Sequence, residues 1–236
     1  VRTPSSMDSE HYKRLAAHAA LELLPETGIL GLGTGSTTRY FIEAGAELVR
    51  NGRTYTGVPT SEGSRELAAR LGVELVDDDG PWDVALAVDG ADEVSPELDL
   101  IKGAGGAHTR EKIVNFAARK NVIVVDESKL SPKLGVRRAV PVEVLCFAHR
   151  ETAHLIANHG KPTLRRVGGE PFLTDSGNYV YDVETGPIDA PPELDVALKT
   201  IPGVVEPGLF CGRADVVIVA GSAGIHSLFA KPPRLG

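Results

Sequence analysis

The chain has 236 residues, of which 42% are hydrophobic and 24% charged, so it can bury a core without disulfide support. Its net charge of −7 argues against nucleic acid or an anionic membrane surface as the main partner. No apolar run reaches the roughly 18 residues of a membrane span, the first ten residues carry no signal core, and Cys146 and Cys211 lack metal-ligand spacing, which together predict a cytoplasmic protein.

The first half of the chain alternates predicted helices with predicted strands. Helices are predicted at Tyr12–Leu24, Ser36–Arg50, Ser61–Leu71 and Thr109–Arg119, and strands at Thr27–Leu32, Thr54–Val58, Val84–Val88 and Asn121–Val125. Strand–helix alternation of this kind predicts an α/β fold with a doubly wound, mostly parallel, Rossmann-like sheet. Met7 is interpreted as the natural start of the chain, with residues 1–6 as an addition before it.

A second, smaller α+β domain is predicted beyond Gly135, where the alternation stops. Its predicted elements are a strand at Val140–Val144 interrupted by Pro141, a helix at Arg150–Asn158, a hairpin at Gly168–Glu184 turning at Asp175–Asn178, a helix at Pro192–Ile201 and a strand at Gly203–Phe210. Asp215–Ala220 is apolar and is predicted to return to the parallel sheet. The catalytic domain is therefore placed at residues 1–137, completed by 213–236, and the small domain at 138–212.

The segment "GLGTGSTT", residues 31–38, lies between a predicted strand and a predicted helix. It departs from the dinucleotide-binding fingerprint because Ser36 stands where the third glycine belongs, and no acidic residue follows the next strand. Its hydroxyls and free N–H groups instead suit a phosphate or another small anion, with Ser36 or Thr34 as the candidate helix cap. A tight turn with a helix cap remains the alternative.

Two further segments place charged residues after predicted strands. In "VDGADEV", Asp89 and Asp92 follow a buried strand, whose carboxyl end faces the ligand crevice of an open α/β sheet; turn chemistry explains the same residues. In "DESK", Lys129 follows the next buried strand and is predicted to reach that crevice, although a surface lysine is the simpler interpretation.

The segment "IKGAGGAHTREKIV", residues 101–114, joins a cation, a glycine run and a helix start. Lys102 is suited to stabilising an oxyanion, and the glycines allow close backbone approach to a ligand. Thr109 is the expected N-cap, which puts Glu111 in the first turn, where the helix dipole alone also accounts for it. The buried face of the helix is predicted to carry Ile113, Phe116 and Ala117.

Taken in order, "GLGTGSTT", "SEGS", "VDGADEV", "KGAGGAHTREKI", "DESK", "PVEV" and "IPGVVEPGLF" resemble the type A ribose-5-phosphate isomerase family, over about residues 13–220. One departure is Ala104, where the family often has glycine. The resemblance implies interconversion of D-ribose 5-phosphate and D-ribulose 5-phosphate through an enediolate in the non-oxidative pentose phosphate pathway. It implies no metal, no organic cofactor, and a homodimer or homotetramer.

The resemblance also implies residue roles. Glu111 matches the catalytic base, Lys102 the lysine that stabilises the enediolate, and Asp89 the ring-opening carboxylate with Asp92 beside it. The residues matched to substrate binding are Thr34, Gly35, Ser36, Thr37, Asp89, Gly90, Ala91, Asp92, Lys102, Gly103, Ala104, Gly105 and Lys129. The alternatives are another sugar-phosphate isomerase or deaminase, and a regulatory domain that binds a sugar phosphate without turnover.

Overall fold

The computed structural model describes residues 6–230, so most of the proposed addition at residues 1–6 lies outside the described part. The α-helices within it are α1 (Ser6–Ala19), α2 (Ser36–Arg50), α3 (Glu62–Arg70), α4 (His108–Ala117), α5 (His149–Ile156) and α6 (Pro191–Lys199). Its strands are β1 (Thr27–Leu32), β2 (Thr54–Pro59), β3 (Glu74–Leu75), β4 (Val84–Asp89), β5 (Glu93–Val94), β6 (Leu100–Ile101), β7 (Asn121–Asp126), β8 (Val140–Val144), β9 (Lys161–Leu164), β10 (Arg166–Val167), β11 (Glu170–Pro171), β12 (Tyr179–Glu184), β13 (Val204–Pro207), β14 (Leu209–Phe210), β15 (Val216–Gly221) and β16 (Gly224–Phe229). Short 3₁₀ helices occupy Ala20–Leu23 and Glu127–Lys129.

A seven-stranded sheet has the order β3-β2-β1-β4-β7-β15-β16. Its first six strands pair in parallel, and β16 is antiparallel to β15. The chain builds outward from β1 through β2 and β3, then returns to β4 and builds in the opposite direction. This order confirms the predicted doubly wound sheet, and it places the topological switch point between β1 and β4.

Hydrophobic burial holds this sheet and its helices together. Strands β7 and β15 are buried along their whole length, as expected for strands covered on both faces. Ala16 and Ala17 of α1 and Phe41 and Ile42 of α2 belong to the same core. The apolar faces of α1 and α2 thus cover apolar strand residues, which is the usual stabilising arrangement of an α/β sheet.

Grouping residues by Cα proximity divides the chain into two compact units. Within the described residues 6–230, unit 1 contains residues 6–90, Arg110–Lys129 and residues 213–230, and unit 2 contains Ala91–Thr109 and Leu130–Gly212. Compared with the domains placed from the sequence, residues 91–109 and 130–137 group with the smaller unit.

Unit 2 contains a four-stranded antiparallel sheet of order β13-β8-β12-β9 and a three-stranded sheet of order β14-β6-β5. Its own core includes Val142, Val144, Ile156, Val183 and Leu198. The combination of a mostly parallel sheet with a smaller antiparallel α+β part confirms the predicted fold class.

Several local predictions for unit 2 are wrong. Strand β8 runs through Pro141 without interruption, and Pro141 lies beyond the residues that pair with β13. The predicted turn exists, with Thr174 N–H donating to the Asn178 carbonyl at 2.9 Å. The segments on its two sides, however, pair only through one isolated bridge, between Leu173 and Tyr179. The main partners of β12 are β8 and β9, because backbone pairing across the four-stranded sheet outweighs the local hairpin.

The predicted strand at residues 203–210 is two strands. It is divided at Gly208, after which the chain leaves the four-stranded sheet for the three-stranded sheet. A Cβ at position 208 would lie 2.1 Å from the Lys102 carbonyl oxygen, so the crossing needs a glycine. Within residues 6–230, no helix combines the length and apolarity needed to cross a bilayer.

Candidate active site

The loop after β1 meets the end of β4 at the switch point of the seven-stranded sheet. Gly33 N–H donates to the Val88 carbonyl at 3.0 Å, and Thr34 N–H donates to Asp89 Oδ1 at 3.2 Å. A Cβ at Gly33 would lie 2.3 Å from Asp89 Oδ1 and 2.6 Å from the Val88 carbonyl oxygen. Only glycine therefore allows the loop to approach β4 this closely.

Asp89 is the last residue of β4, and its side chain is fixed by backbone donors. It is 8% exposed, and its Oδ1 accepts N–H groups from Thr34 at 3.2 Å and from Gly90 at 2.7 Å. Thr34 is held in turn by its hydroxyl, which lies 2.8 Å from the hydroxyl of Thr60, the residue that follows β2. The carboxylate is thus oriented before any ligand binds.

Glu111 and Asp89 line the same small cavity in unit 1, which has room for about one water molecule. Glu111 is 5% exposed and stands in the first turn of α4, where the helix dipole favours a negative charge. Asn121 adds a buried Oδ1 that has no hydrogen-bond partner among residues 6–230. Two carboxylates and an amide that line one cavity are suited to moving protons on a hydroxylated ligand.

Helix α2 begins at Ser36, but the predicted cap is wrong. Its N-cap is Gly35, with φ of 119° and no side-chain hydrogen bond to the first turn. The positive φ requires glycine, and Thr38 turns inward to donate to the Gly35 carbonyl at 3.0 Å, so its hydroxyl is not offered to a ligand. The first-turn N–H groups stay uncapped, and Ser36 is exposed, as an anion cradle requires.

A larger groove of unit 1 borders this helix start. Thr34 and Gly35 line it together with Arg39 and Arg70. Arginines beside an uncapped helix N-terminus are suited to binding an anion, although the chain as a whole is acidic.

In unit 2, residues 102–107 connect β6 to α4 and form a glycine-rich loop, here called the glycine loop. Lys102 is 3% exposed, its N–H donates to the Gly208 carbonyl at 2.9 Å, and its Nζ lies 5.5 Å from the centre of the Phe210 ring. Asp92 Oδ2 accepts the Ala104 N–H at 2.9 Å, so Asp92 fixes the loop as well as being available to a ligand.

The loop needs glycine at two positions, Gly103 and Gly106, with φ of 112° and 76°. A Cβ at Gly103 would lie 2.6 Å from Nδ1 of the buried His108. Ala104 and Gly105 are exposed, so the alanine that departs from the family pattern meets no steric obstacle.

Two predictions for α4 are wrong. The helix begins at His108, and the hydroxyl of Thr109 donates to the buried carboxylate of Glu143 instead of capping. Ile113 and Phe116 are 55% and 62% exposed, and the guanidinium of Arg213 stacks 3.8 Å from the Phe116 ring centre. The buried face is the one that carries Glu111, because its polar groups line the cavity.

The other predicted site residues occupy different surroundings. Gly90 donates to Asp89, and Ala91 is partly exposed. Lys129 ends the 3₁₀ helix after β7, adjacent to β4 in the sheet, but it does not line the cavity of Asp89 and Glu111. Among the described residues, no cluster of three or more His, Cys, Asp or Glu side chains is placed to hold a metal ion.

Sequence reasoning missed Thr60, Asn115 and Asn121, which line the cavity, and Arg165, which contacts the glycine loop. The rule that found Asp89 applies to Thr60 as well, since it directly follows β2. Asn121 is the polar first residue of β7, and the four residues after it are apolar. Arg165 gives no local signal, because it lies 62 residues from Gly103.

The chain matches one protein family along most of its length. The model of the family "Ribose 5-phosphate isomerase A (phosphoriboisomerase A)" matches residues 56–224. The ribose-5-phosphate isomerase A of Chloroflexus aurantiacus is 45% identical over 226 residues, covering 94% of this chain and 95% of the relative.

Solved structures agree with this sequence similarity. A D-ribose-5-phosphate isomerase solved in complex with phospho-erythronic acid superposes with a TM-score of 0.91 at 38% identity, covering 94% of this chain and all of that one. Ribose 5-phosphate isomerase A of Methanocaldococcus jannaschii gives a TM-score of 0.88 at 40% identity, covering 93% of this chain and 99% of that one.

Proposed function

The chain belongs to the ribose 5-phosphate isomerase A family and is an aldose–ketose isomerase of that family. We propose that it acts through an enediolate, with Glu111 as general base and without a metal. The substrates are D-ribose 5-phosphate and D-ribulose 5-phosphate, in the non-oxidative pentose phosphate pathway. The observation that carries the mechanism is that Glu111 and Asp89 line one cavity at the switch point of the sheet.

Glu111 is the general base of the proposed reaction. Its carboxylate removes the proton from C2 of the open-chain aldose, the C2 electron pair forms the C1–C2 double bond, and the C1 carbonyl oxygen takes the negative charge. Returning the proton to C1 while the O2 proton passes to O1 yields the ketose. The position of Glu111 in the first turn of α4 supports its role, because the dipole stabilises the carboxylate that a base must present at neutral pH.

Lys102 supplies the cation for the oxygen that becomes negative. Its near-complete burial supports this role, since an ammonium group shielded from water acts on a developing charge more strongly than an exposed one. Gly103, Ala104 and Gly105 are proposed substrate contacts, and the Gly105 N–H is the proposed backbone donor to the substrate. Asp92 has a part in substrate binding and keeps the loop in place.

Asp89 is the carboxylate that opens the ring form of the substrate. It accepts the proton of the C1 hydroxyl as the C1–O4 bond breaks, and it returns that proton to O4, which becomes the C4 hydroxyl. Its fixed Oδ1 supports this role, because a pre-oriented acceptor loses little freedom when the sugar binds. The uncapped start of α2, at Thr34, Gly35, Ser36 and Thr37, is the proposed cradle for the phosphate group. Gly90, Ala91 and Lys129 are further proposed substrate contacts.

We further propose that the protein is cytoplasmic, requires no cofactor and assembles as a homodimer or homotetramer. The exposed side chains of Ile113 and Phe116 on α4 support assembly, because large apolar groups at a surface favour burial against a partner. Light scattering after size-exclusion chromatography measures the assembly directly, and a monomer at micromolar concentration would contradict it.

The experiment that tests the function is a coupled ketopentose assay on ribose 5-phosphate, run with and without a chelator. Ketopentose formation that is insensitive to the chelator is expected, and activity that disappears with it would contradict the metal-free mechanism. Glucosamine 6-phosphate serves as the comparison substrate, since release of ammonia would indicate a deaminase. Tight binding of phospho-erythronic acid without any turnover of ribose 5-phosphate would indicate a regulatory domain.

A further inference from the structure

We propose that Arg165, held by Asp182, is a positioning residue that aligns the Ala104–Gly105 peptide of the glycine loop, so that the Gly105 N–H donates to the substrate oxygen that becomes negative. The inference rests on the proposed function of that loop. All of the contacts that support it lie within unit 2. Arg165 directly follows β9, and Asp182 belongs to the neighbouring strand β12.

Arg165 makes two contacts with the loop backbone. Its Nη1 donates to the carbonyl oxygen of Gly103 at 2.8 Å and to that of Ala104 at 3.1 Å. These carbonyls belong to consecutive peptides, so one guanidinium group fixes the orientation of both. From the other side, Asp92 Oδ2 accepts the Ala104 N–H at 2.9 Å, which clamps the first of these peptides at both ends.

Asp182 holds the guanidinium in place. It accepts the Arg165 Nε–H on Oδ2 at 3.0 Å and the Nη2–H on Oδ1, which is the bidentate fork geometry of an arginine–carboxylate pair. Arg165 therefore uses four of its five N–H groups, two on Asp182 and two on the loop. The Arg165 guanidinium therefore has little rotational freedom, and its hydrogen bonds restrict the motion of the loop backbone.

The second peptide of the pair, between Ala104 and Gly105, is the one with a donor to spare. The only cis peptide bond in residues 6–230 is Gly80–Pro81, so this peptide is trans, and its N–H points opposite to its carbonyl. Because Arg165 binds the carbonyl, the Gly105 N–H is directed away from Arg165. Gly105 is exposed, and its N–H has no protein acceptor within the described residues.

The charge of Arg165 adds to this alignment. A cation on the carbonyl oxygen polarises the peptide and strengthens its N–H as a donor, because linked hydrogen bonds reinforce one another. The effect grows with the negative charge on the acceptor, so it stabilises the enediolate more than the neutral substrate. Removing Arg165 should therefore lower kcat more than it weakens substrate binding.

The experiment compares Arg165→Ala, Arg165→Lys and Asp182→Asn with the wild-type protein. We measure kcat and KM on ribose 5-phosphate, the affinity for phospho-erythronic acid, and the hydrogen-exchange rate of the loop amides. Arg165→Ala should lower kcat about 10- to 100-fold with KM within about threefold, a smaller loss than removal of a whole oxyanion donor. Affinity for phospho-erythronic acid should fall with kcat, because its carboxylate carries the charge that the enediolate develops.

The conservative variants separate positioning from general stability. Arg165→Lys keeps a cation near the two carbonyls and should restore part of kcat, and Asp182→Asn should give a smaller loss than Arg165→Ala. The matched control is Lys161→Ala, which removes an exposed ion pair with Glu184 across the same two strands. It should leave kcat and loop exchange unchanged.

Two outcomes overturn the inference. One is a folded Arg165→Ala protein whose kcat and loop exchange match the wild type, and the other is a rise in KM alone, which would make Arg165 a substrate-binding residue. If Arg165→Ala does not fold, wild-type kcat in both Arg165→Lys and Asp182→Asn overturns it as well. A wild-type protein without isomerase activity would refute the proposed function instead. The hydrogen-exchange rates of the loop amides and the affinity for phospho-erythronic acid would then still test whether Arg165 positions the loop.

Discussion

Replacing Gly33 with alanine tests the close approach of the β1 loop to β4. The added methyl would lie 2.3 Å from Asp89 Oδ1, 2.4 Å from its Cγ and 2.6 Å from the Val88 carbonyl oxygen. Because one of these atoms is backbone, a side-chain rotation cannot relieve the overlap. Overpacking of this kind costs about 1–3 kcal/mol. For a chain of this size, each kcal/mol lowers Tm by about 2–4 °C, so the expected fall in Tm is roughly 2–12 °C.

The same substitution should also reduce turnover. The methyl pushes the Asp89 carboxylate away from the N–H groups of Thr34 and Gly90, which hold it at 3.2 and 2.7 Å. A displacement of about 1 Å in a positioned catalytic group costs about 100-fold in rate, which is the loss expected in kcat/KM on ribose 5-phosphate. Calorimetry and the coupled ketopentose assay measure the two effects separately.

Gly45→Ala is the matched control. Gly45 lies within α2, and a Cβ there would meet nothing within 4 Å. The same chemical change should therefore stabilise the protein by about 0.5–1 kcal/mol, since alanine favours a helix interior, and should leave activity unchanged. A Gly33→Ala protein with wild-type Tm and wild-type kcat/KM would refute the requirement for glycine at the switch point.

Three further predictions concern charged groups. Glu111→Gln should keep the fold and lower kcat about 100- to 10,000-fold, the usual contribution of a general base, and near wild-type turnover would refute the assignment. Lys102→Ala should lower kcat about 100- to 1,000-fold with less change in KM, and a rise in KM alone would make Lys102 a binding residue. Burial raises the pKa of Asp99 above its usual 3.8, against the opposing hydrogen bond from the Gly212 N–H. A raised folded pKa means that ionisation opposes folding, so Asp99→Asn should be more stable than the wild type at neutral pH, with the difference vanishing below about pH 4 in denaturant titrations. Equal stability gains at pH 3 and pH 7 would contradict that cause.

Local patterns predicted much of the fold. The apolar runs at residues 84–88, 121–125 and 215–220 are strands of the parallel sheet, and their number and alternation with helices were enough to identify the doubly wound class. The carboxyl-end rule then selected Asp89, which the structure shows oriented by backbone donors. Buried strands and the connections between consecutive elements depend on residues that are close together in the chain, so both can be predicted from one sequence.

Helix α4 shows where local patterns fail. Ile113, Phe116 and Ala117 have the spacing of one helix face. Glu111, Val114 and Asn115 have the same spacing and form another face of the helix. Periodicity alone favours the apolar set, but the described structure buries the side with Glu111 and Asn115, which line the same cavity as Asp89. The predicted caps of α2 and α4 are wrong for a related reason, because tertiary contacts decide what a hydroxyl group binds. Gly35 is the N-cap of α2, and the Thr109 hydroxyl in α4 donates to the buried carboxylate of Glu143.

Hydrophobic periodicity and contiguous motifs were enough to predict the parallel α/β class, the family and the segments that carry the charged groups. The contacts between those groups could not be predicted in this way, because they depend on how distant segments pack in the folded protein. Arg165 is held by Asp182, 17 residues away along the chain, and donates to the Gly103 carbonyl of the glycine loop, 62 residues away. Such contacts form when separate strands are paired in register, and no local pattern of residues specifies that pairing.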